Sequence, residues 1–132
     1  MNLKIKVRDA MIFNTLKLNA ELSVEEAAQA LLENNLPGAP VINEREELIG
    51  FVSEKDLLVK VLSASYHGSS SSSVADVMRK DVLSLNPEDD LVELTSSLVR
   101  DDKPKIYPVV ENNKLLGVIT RSLVLKALVN NL

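Results

Sequence analysis

Hydrophobic and polar positions follow two spacings along the chain, and the same succession of spacings occurs twice. Apolar residues spaced three and four apart after "SVEE" and after "NPED" predict two helices, which Pro37 and Pro104 end. Each helix is followed by two short apolar runs, "APVI" with "LIGFV" and "IYPVV" with "LLGVI", which predict strands joined by charged turns. A last helix begins at Ser53 in the first half and at Thr120 in the second. The pattern therefore predicts β-α-β-β-α twice, an α+β chain.

The start of the first helix in each half has its own signal. Ser23 and Glu26 have the spacing of a capping box. In the second half we expect Asn86 to cap the helix, with Pro87 at its first position. Both helices should thus begin at a side-chain cap.

The two halves are copies of one another. Val7 aligns with Val74, Gly50 with Gly117 and other residues likewise at a constant offset of 67, without a gap. The segment "SASYHGSSSSS" between the copies predicts a flexible linker. We therefore expect one repeat over residues 7–63, a Ser/Gly linker over 64–73 and a second repeat over 74–130. Neither repeat is large enough to bury its sheet alone, so the two should pack sheet to sheet about a pseudo-two-fold axis as one compact module.

Composition narrows the function classes. The chain has 132 residues, of which 45% are hydrophobic and 26% charged, and a formal net charge of -4. With both signs interspersed there is no basic face for nucleic acid. The absence of cysteine excludes disulfides and Cys-based metal sites. The N-terminal residues carry charges throughout, and no run approaches the roughly 18 apolar residues of a membrane span, so we expect a cytoplasmic protein with no membrane partner.

The last helices of the two copies differ at one position. Ser53 is followed three residues later by Asp56, whereas Thr120 is followed by Leu123. A hydroxyl at a helix start lies beside unpaired N–H groups and the positive end of the helix dipole, which suits a phosphate. A carboxylate one turn on can accept hydrogen bonds from ribose hydroxyls. The same spacing is close to a capping box with a purely structural role, and this alternative stays open.

The doubled pattern of "VRDAM…LPGAPVINEREELIGFVSEKDLL" and "VADVM…KIYPVVENNKLLGVITRSLVL" resembles a tandem pair of CBS domains, the cystathionine-β-synthase-type repeat whose pairs form a Bateman module. The resemblance extends from about residue 7 to residue 129. It implies a regulatory module that binds AMP, ADP, ATP or S-adenosylmethionine in a cleft between the repeats and has no catalytic cofactor. It also implies that G-x-x-S/T-x-x-D supplies the phosphate and ribose contacts, and that two modules form a homodimer.

Two cations are further candidates for phosphate contacts. Lys105 precedes the "IYPVV" strand and Arg121 follows Thr120, so both should lie near one cleft, either as phosphate ligands or as solvated surface cations. Gly38 aligns with Lys105, which leaves the Asp56 site without an equivalent cation. We therefore expect different ligands in the two clefts, or one occupied cleft. The candidate ligand-binding residues are Ser53, Asp56, Thr120, Arg121 and Lys105.

A catalytic function finds no support in the residues. The single histidine, His67, lies in the Ser/Gly segment without a neighbouring partner, and the chain has no cysteine nucleophile and no phosphate-binding loop of the G-x-x-x-x-G-K-S/T type. We expect no enzymatic activity. Two function classes remain, a sensor of adenosine-containing ligands that signals to an unidentified effector protein and a dimerisation or docking module without a ligand.

Overall fold

A computed structural model of the chain describes residues 4–67, 72–100 and 104–132. The predicted α+β class with a doubled order of elements is confirmed. The helices are α1 (Val7–Ala10), α2 (Val24–Asn34), α3 (Glu54–His67), α4 (Val74–Val77), α5 (Leu91–Leu98) and α6 (Arg121–Asn130). The strands are β1 (Ile12–Phe13), β2 (Leu18–Asn19), β3 (Gly38–Ile42), β4 (Leu48–Ser53), β5 (Ile106–Glu111) and β6 (Lys114–Thr120).

The chain forms two compact units, and each combines parts of both sequence repeats. One unit is Leu16–Val82, called here the Asp56 unit, and it contains the start of the second repeat. The other comprises Met1–Thr15 and Leu83–Leu132, called here the Leu123 unit, and it contains the start of the first repeat. The two repeats therefore exchange their N-terminal segments.

The Asp56 unit is built on a sheet of order β2-β3-β4. β2 runs parallel to β3, and β3 forms an antiparallel hairpin with β4. On the far side of β4 the backbone of Arg79 pairs with that of Phe51 through two hydrogen bonds of 2.8 and 2.9 Å. Alternate strand residues point to opposite faces of the sheet, and one of these faces packs on α2 and α3. The buried core residues are Leu18, Val24, Ala27, Leu31, Ala39, Val41, Val52, Leu57 and Val74.

The Leu123 unit repeats this order of strands. Its sheet is β1-β6-β5, with β6 antiparallel to both neighbours, and Leu85 forms a parallel bridge with Val109 of β5. The exchanged segment lies beside the second hairpin strand in both units, as β1 here and as Arg79 in the Asp56 unit. The core residues are Ile5, Val7, Ala10, Met11, Leu85, Leu91, Leu98, Tyr107, Val109, Ile119 and Val124.

A glycine allows each exchanged segment to approach its sheet closely. A Cβ atom at Gly50 would lie 2.6 Å from the Sδ atom of Met78, and one at Gly117 would collide with the carbonyl oxygen of Ile12. The collision at Gly117 is with backbone, which cannot rotate away as a methionine side chain can. The two glycines that align in the sequence thus serve the same packing purpose.

The alignment of the two repeats contains a one-residue offset. Ser53 and Thr120 are 67 positions apart, but their strand partners Gly38 and Ile106 are 68 apart. The second repeat has one residue more before its hairpin and one fewer in the hairpin turn. The expectation of a gap-free register is therefore wrong, and so is the match of Gly38 with Lys105.

Lys105 corresponds instead to Pro37. The carbonyl oxygen of Pro37 accepts the N–H of Glu54 at 2.9 Å, and that of Lys105 accepts the N–H of Arg121 at 3.3 Å. Each carbonyl thus receives the first N–H of the helix that follows the hairpin.

One of the two predicted caps is confirmed and the other is wrong. Ser23 and Glu26 form the expected capping box, with both hydrogen bonds at 3.0 Å. α5 is capped by Asp90, not by Asn86. The carboxylate of Asp89 accepts the N–H of Asn86 at 2.9 Å, which holds Asn86 in a preceding turn. Short polar side chains can hydrogen-bond local N–H groups outside a helix. Asn86 does so in the turn before α5, where its side chain accepts the N–H of Glu88.

Part of the predicted linker is helical. α3 continues to His67 and so includes four residues of the range 64–73. Residues 54–67 contain no glycine or proline, so no helix-breaking residue ends α3 earlier. Ser73 pairs with Ser23 and belongs to the Asp56 unit. Residues 68–71 of the predicted linker lie outside the described residues.

Candidate functional site

The carboxylate of Asp56 lies over the first turn of α3. The hydroxyl oxygen of Ser53 accepts the N–H of Asp56 at 3.1 Å, and one carboxylate oxygen, Oδ2, accepts the N–H of Ser53 at 3.1 Å. The Ser53 hydroxyl also donates to Oδ2 at 2.9 Å. The two residues therefore form the capping box that the spacing allowed, and they lie together as the sequence analysis expected.

Arg79 is a third member of this cluster that the sequence analysis missed. Its Nη2 and Nε atoms donate to the other carboxylate oxygen of Asp56, Oδ1, at 3.3 and 3.4 Å. The Asp56 side chain is 16% exposed and that of Arg79 is 65% exposed. The Asp56 site has no cation at the place of Lys105, where Pro37 stands, but the exchanged segment brings Arg79 from a different position. The expectation that the cations lie only near Thr120 is therefore wrong.

The pKa of Asp56 reflects opposing influences. Partial burial is the largest single influence and raises the pKa of the carboxyl, but the hydrogen bonds from Ser53 and the pairing with Arg79 together outweigh it. The net result is a pKa below the ordinary value for aspartate. Asp56 is thus ionised at neutral pH, and an ionised carboxylate has about four lone-pair sites for hydrogen bonds.

The Leu123 unit has the hydroxyl without the carboxylate. Thr120 caps α6, and its hydroxyl oxygen accepts the N–H of Leu123 at 3.1 Å. Leu123 is half-buried and packs against the core of the unit. Thr120, Arg121 and Lys105 lie together because the Arg121 N–H donates to the Lys105 carbonyl oxygen. The Lys105 residue is exposed and Arg121 is half-buried.

The missed arginine has a counterpart in the other unit. Arg79 pairs with Phe51, and Ile12 pairs with Val118, the residue that aligns with Phe51. Ile12 therefore occupies the place of Arg79, as Leu123 occupies that of Asp56. A comparison of the repeats could have flagged the exchange of Ile12 for Arg79, but only the exchanged fold identifies Asp56 as the partner of Arg79.

Exposed apolar residues recur at equivalent helix positions in the two units. In the Asp56 unit they border a cleft of about 250 Å³ between α2 and α3, lined by Ala28, Leu31, Leu32, Glu54, Leu57, Leu58 and Val61. Three aligned pairs of apolar residues on these helices, or at the C-cap in the case of Val99, are between 53% and 69% exposed, namely Leu32 with Val99, Leu58 with Leu125, and Leu62 with Val129. Each unit thus presents an apolar helix surface of similar composition.

Among the described residues, no three His, Cys, Asp or Glu side chains are grouped so that they could hold a metal ion. Over the same residues, no helix has the length and apolar character needed to cross a membrane.

The chain is similar to other proteins over most of its own length. The chain is 28% identical over 122 residues to the uncharacterized protein MJ1225 of Methanocaldococcus jannaschii, covering 92% of this chain and 42% of that protein. It is 32% identical over 131 residues to the A-adding tRNA nucleotidyltransferase of Aquifex aeolicus, covering 98% of this chain and 15% of that enzyme. The chain thus spans less than half the length of either relative.

The crystal structure of CBSX2 from Arabidopsis thaliana in complex with AMP has the same fold, with a TM-score of 0.82 at 28% identity. The match covers 96% of this chain and 97% of that one. The sequence model of the CBS domain family matches twice, at residues 7–63 and 74–130. The chain therefore belongs to the CBS domain family and contains two CBS domains in tandem.

Proposed function

We propose that this protein is a regulatory CBS pair that binds an adenosine-containing ligand at Ser53 and Asp56 and transmits the binding to a partner protein. The observation that carries the proposal is the ionised carboxylate of Asp56, held beside a hydroxyl and an arginine at the start of α3. The proposal gains support from CBSX2, which is similar over nearly its whole length and was crystallised with AMP.

The chemistry of the site suits a ribose and a phosphate. The vicinal hydroxyls of a ribose would donate to Asp56, whose charge makes such hydrogen bonds stronger than those to a neutral acceptor. The Ser53 hydroxyl would donate to a phosphate instead of to Oδ2 of Asp56, and the positive end of the helix dipole would favour the negative charge of the phosphate. The capping box does not prevent contact with a ribose, because it uses only Oδ2 of the Asp56 carboxylate.

The cluster in the Leu123 unit has a different role in this proposal. Thr120, Arg121 and Lys105 would offer a hydroxyl and two cations to a phosphate, but Leu123 offers nothing to a ribose. We therefore propose one competent adenosine site per chain, at Asp56.

Regulation, not catalysis, fits the family and the comparisons. The A-adding tRNA nucleotidyltransferase matches this chain over only 15% of its own length, so its catalytic activity gives no ground for assigning one to this chain. A regulatory ligand acts by binding one conformation better than another and shifting the population between them. The ligand would be AMP, ADP, ATP or S-adenosylmethionine, and the effector would be another protein in the cytoplasm.

Thermal unfolding with AMP, ADP, ATP and S-adenosylmethionine tests this proposal, because a ligand that binds only the folded state raises the midpoint. Asp76 provides a matched control, since it forms the same kind of box with Ser73, at 2.9 and 3.2 Å, at the start of α4. The midpoint of the wild type and of Asp76→Asn should rise with ligand, and that of Asp56→Asn should rise much less. An equal rise in all three proteins would remove Asp56 from the site.

A second candidate function is a dimerisation module without a ligand. Its support is the recurrence of exposed apolar residues at aligned positions of the two units, because apolar surface left uncovered favours association with another protein surface. We propose a homodimer through these helix surfaces, compatible with either function. The absence of any ligand response from a dimeric protein would favour this second function.

Sedimentation at micromolar concentration tests the dimer. The wild type should sediment as a dimer and Leu58→Glu as a 14.5 kDa monomer. Leu83→Glu is the control, because Leu83 is 55% exposed but lies outside the helices. A wild type of 14.5 kDa throughout the concentration range would contradict the homodimer.

A further inference from the structure

The position of Arg79 beside Asp56 is set by its backbone. Its N–H and carbonyl groups both pair with Phe51, at 2.8 and 2.9 Å, so the residue is fixed to the edge of β4. The missing side chain at Gly50 lets this segment lie close to the strand, since a Cβ atom there would come within 3.1 Å of the Arg79 carbonyl oxygen. The side chain itself is 65% exposed. The backbone of Arg79 is therefore held at the strand edge, and its side chain is exposed.

A bound ribose would compete with the Arg79 guanidinium group for the carboxylate of Asp56. Arg79 occupies Oδ1 of Asp56, whereas Ser53 occupies Oδ2. The hydroxyls of a ribose at Asp56 would approach Oδ1, the oxygen that the fixed first turn of α3 does not use. The arginine of this pair is exposed and its contacts with Oδ1 are long, at 3.3 and 3.4 Å, so their replacement by ribose hydrogen bonds costs little. The released guanidinium would then lie one sugar ring away from the group attached at the 5′ carbon of the ligand.

The nature of that group decides whether the exchange is favourable. A phosphate presents oxygens that match the planar fork of donors on arginine, and it restores a charge partner to Arg79. A sulfonium group at the same place repels the arginine, and a plain hydroxyl leaves it without a charge partner. Only the phosphorylated ligand therefore compensates Arg79 for the loss of Asp56.

We infer that Arg79 makes the Asp56 site selective for adenosine ligands that carry a 5′-phosphate, by passing from the carboxylate of Asp56 to the phosphate when the ligand binds. This inference rests on the proposed function and adds to it the class of ligand that the site accepts. The same selectivity is not expected in the Leu123 unit, because Ile12 stands there at the place of Arg79.

Calorimetric titration with AMP, adenosine and S-adenosylmethionine tests the inference. The wild type should bind AMP about 10- to 100-fold more tightly than adenosine, the range expected for hydrogen bonds between charged groups. Arg79→Gln should bring this ratio close to one by weakening AMP, while adenosine binds as before or more tightly. Arg79→Lys should keep part of the preference, because it retains the charge without the fork. Lys80→Gln is the matched control, since it removes the neighbouring exposed charge and should leave the ratio unchanged.

The outcomes separate this inference from the proposed function. An unchanged AMP preference in Arg79→Gln overturns the inference and leaves the adenosine site in place. Equal affinity of the wild type for S-adenosylmethionine and AMP also overturns it. A parallel loss of AMP and adenosine in Arg79→Gln and Arg79→Lys assigns Arg79 a structural role and overturns it too. Failure of the wild type to bind any of the three compounds overturns both proposals.

Discussion

The two units share a strand order and a helix start, yet they differ at two aligned positions that act together. In the Asp56 unit these positions hold the ion pair of Asp56 and Arg79, and in the Leu123 unit they hold Leu123 and Ile12. A charge has thus been exchanged for an apolar residue at both places. Both positions are charged in the Asp56 unit and both are apolar in the Leu123 unit, so neither unit has an unpaired charge at these two positions.

The comparison also shows what the helix start requires. Thr120 caps α6 through its hydroxyl alone, with no carboxylate three residues later. Both helix starts therefore use the hydroxyl as a cap, and the Asp56 carboxylate adds a second set of hydrogen bonds at α3. This explains why a hydroxyl occurs at both helix starts, at Ser53 and Thr120, and a carboxylate three residues later at only one of them. A side chain that the fold does not require is a natural candidate for ligand binding.

Substitution of the two aligned glycines should give the largest difference in free energy of unfolding between the units. Gly117→Ala places a methyl group against the backbone of Ile12 and should destabilise the protein by about 3 kcal/mol. Gly50→Ala meets the flexible side chain of Met78 and should cost about 1 kcal/mol. Urea unfolding of both variants measures the two losses. A larger loss at Gly50 would mean that the exchanged segments are not held as described.

A charge at Leu123 should come next in size. Leu123→Asp places a carboxylate against the core of its unit, where no arginine stands at the position of Ile12, and should cost about 2 kcal/mol. The control is Ser122→Asp, an exposed neighbour that should change the free energy of unfolding by less than about 0.5 kcal/mol. Urea unfolding compares them. If Leu123→Asp were as stable as Ser122→Asp, the apolar pair would not be part of the packing.

The two helix caps should differ by a smaller amount. Ser53→Ala removes two hydrogen bonds, one to the Asp56 N–H and one to its carboxylate, and should cost about 1.5 kcal/mol. Thr120→Ala removes one and should cost about 1 kcal/mol. Thermal and urea unfolding in the absence of ligand measure both. The reverse order would indicate that the box at α3 contributes nothing beyond a simple cap.

The smallest effect should be the pH-dependent contribution of Asp56. Because the folded state lowers the pKa of this carboxyl, its ionised form stabilises the fold above the unfolded-state pKa of about 3.9, and this stabilisation is lost as the pH falls through the folded-state pKa. Asp56→Asn should therefore be less stable than the wild type by about 0.5 kcal/mol at neutral pH and equal to it in acid. Urea unfolding across this pH range checks the sign. A difference that grows as the pH falls would contradict it.

Local patterns predicted much of the fold. The repeat, the α+β class and the helix starts at Ser23, Ser53 and Thr120 follow from signals within a few residues of each element. Asn86 shows the limit of such signals, because Asp89 and Asp90 offer competing acceptors within one turn. Nothing local decides which of them caps the helix.

Two further features could not be read from local patterns. The segments 7–15 and 74–82 have similar apolar spacing, so the sequence does not indicate which sheet each one joins. Arg79 meets Asp56 only through that exchange, across 23 positions of the chain. The one-residue offset before the hairpin of β5 is reversed within its turn, so the 67-residue spacing on either side conceals it.

The stoichiometry and location of AMP binding test the central claim most directly. Calorimetry should find one AMP per chain, with affinity reduced about 10-fold or more by Asp56→Asn, the loss expected when a charged acceptor becomes neutral. Thr120→Ala, the aligned change in the other unit, should leave that affinity unchanged. Two equal sites per chain, or equal affinity of the wild type and Asp56→Asn, would contradict the account.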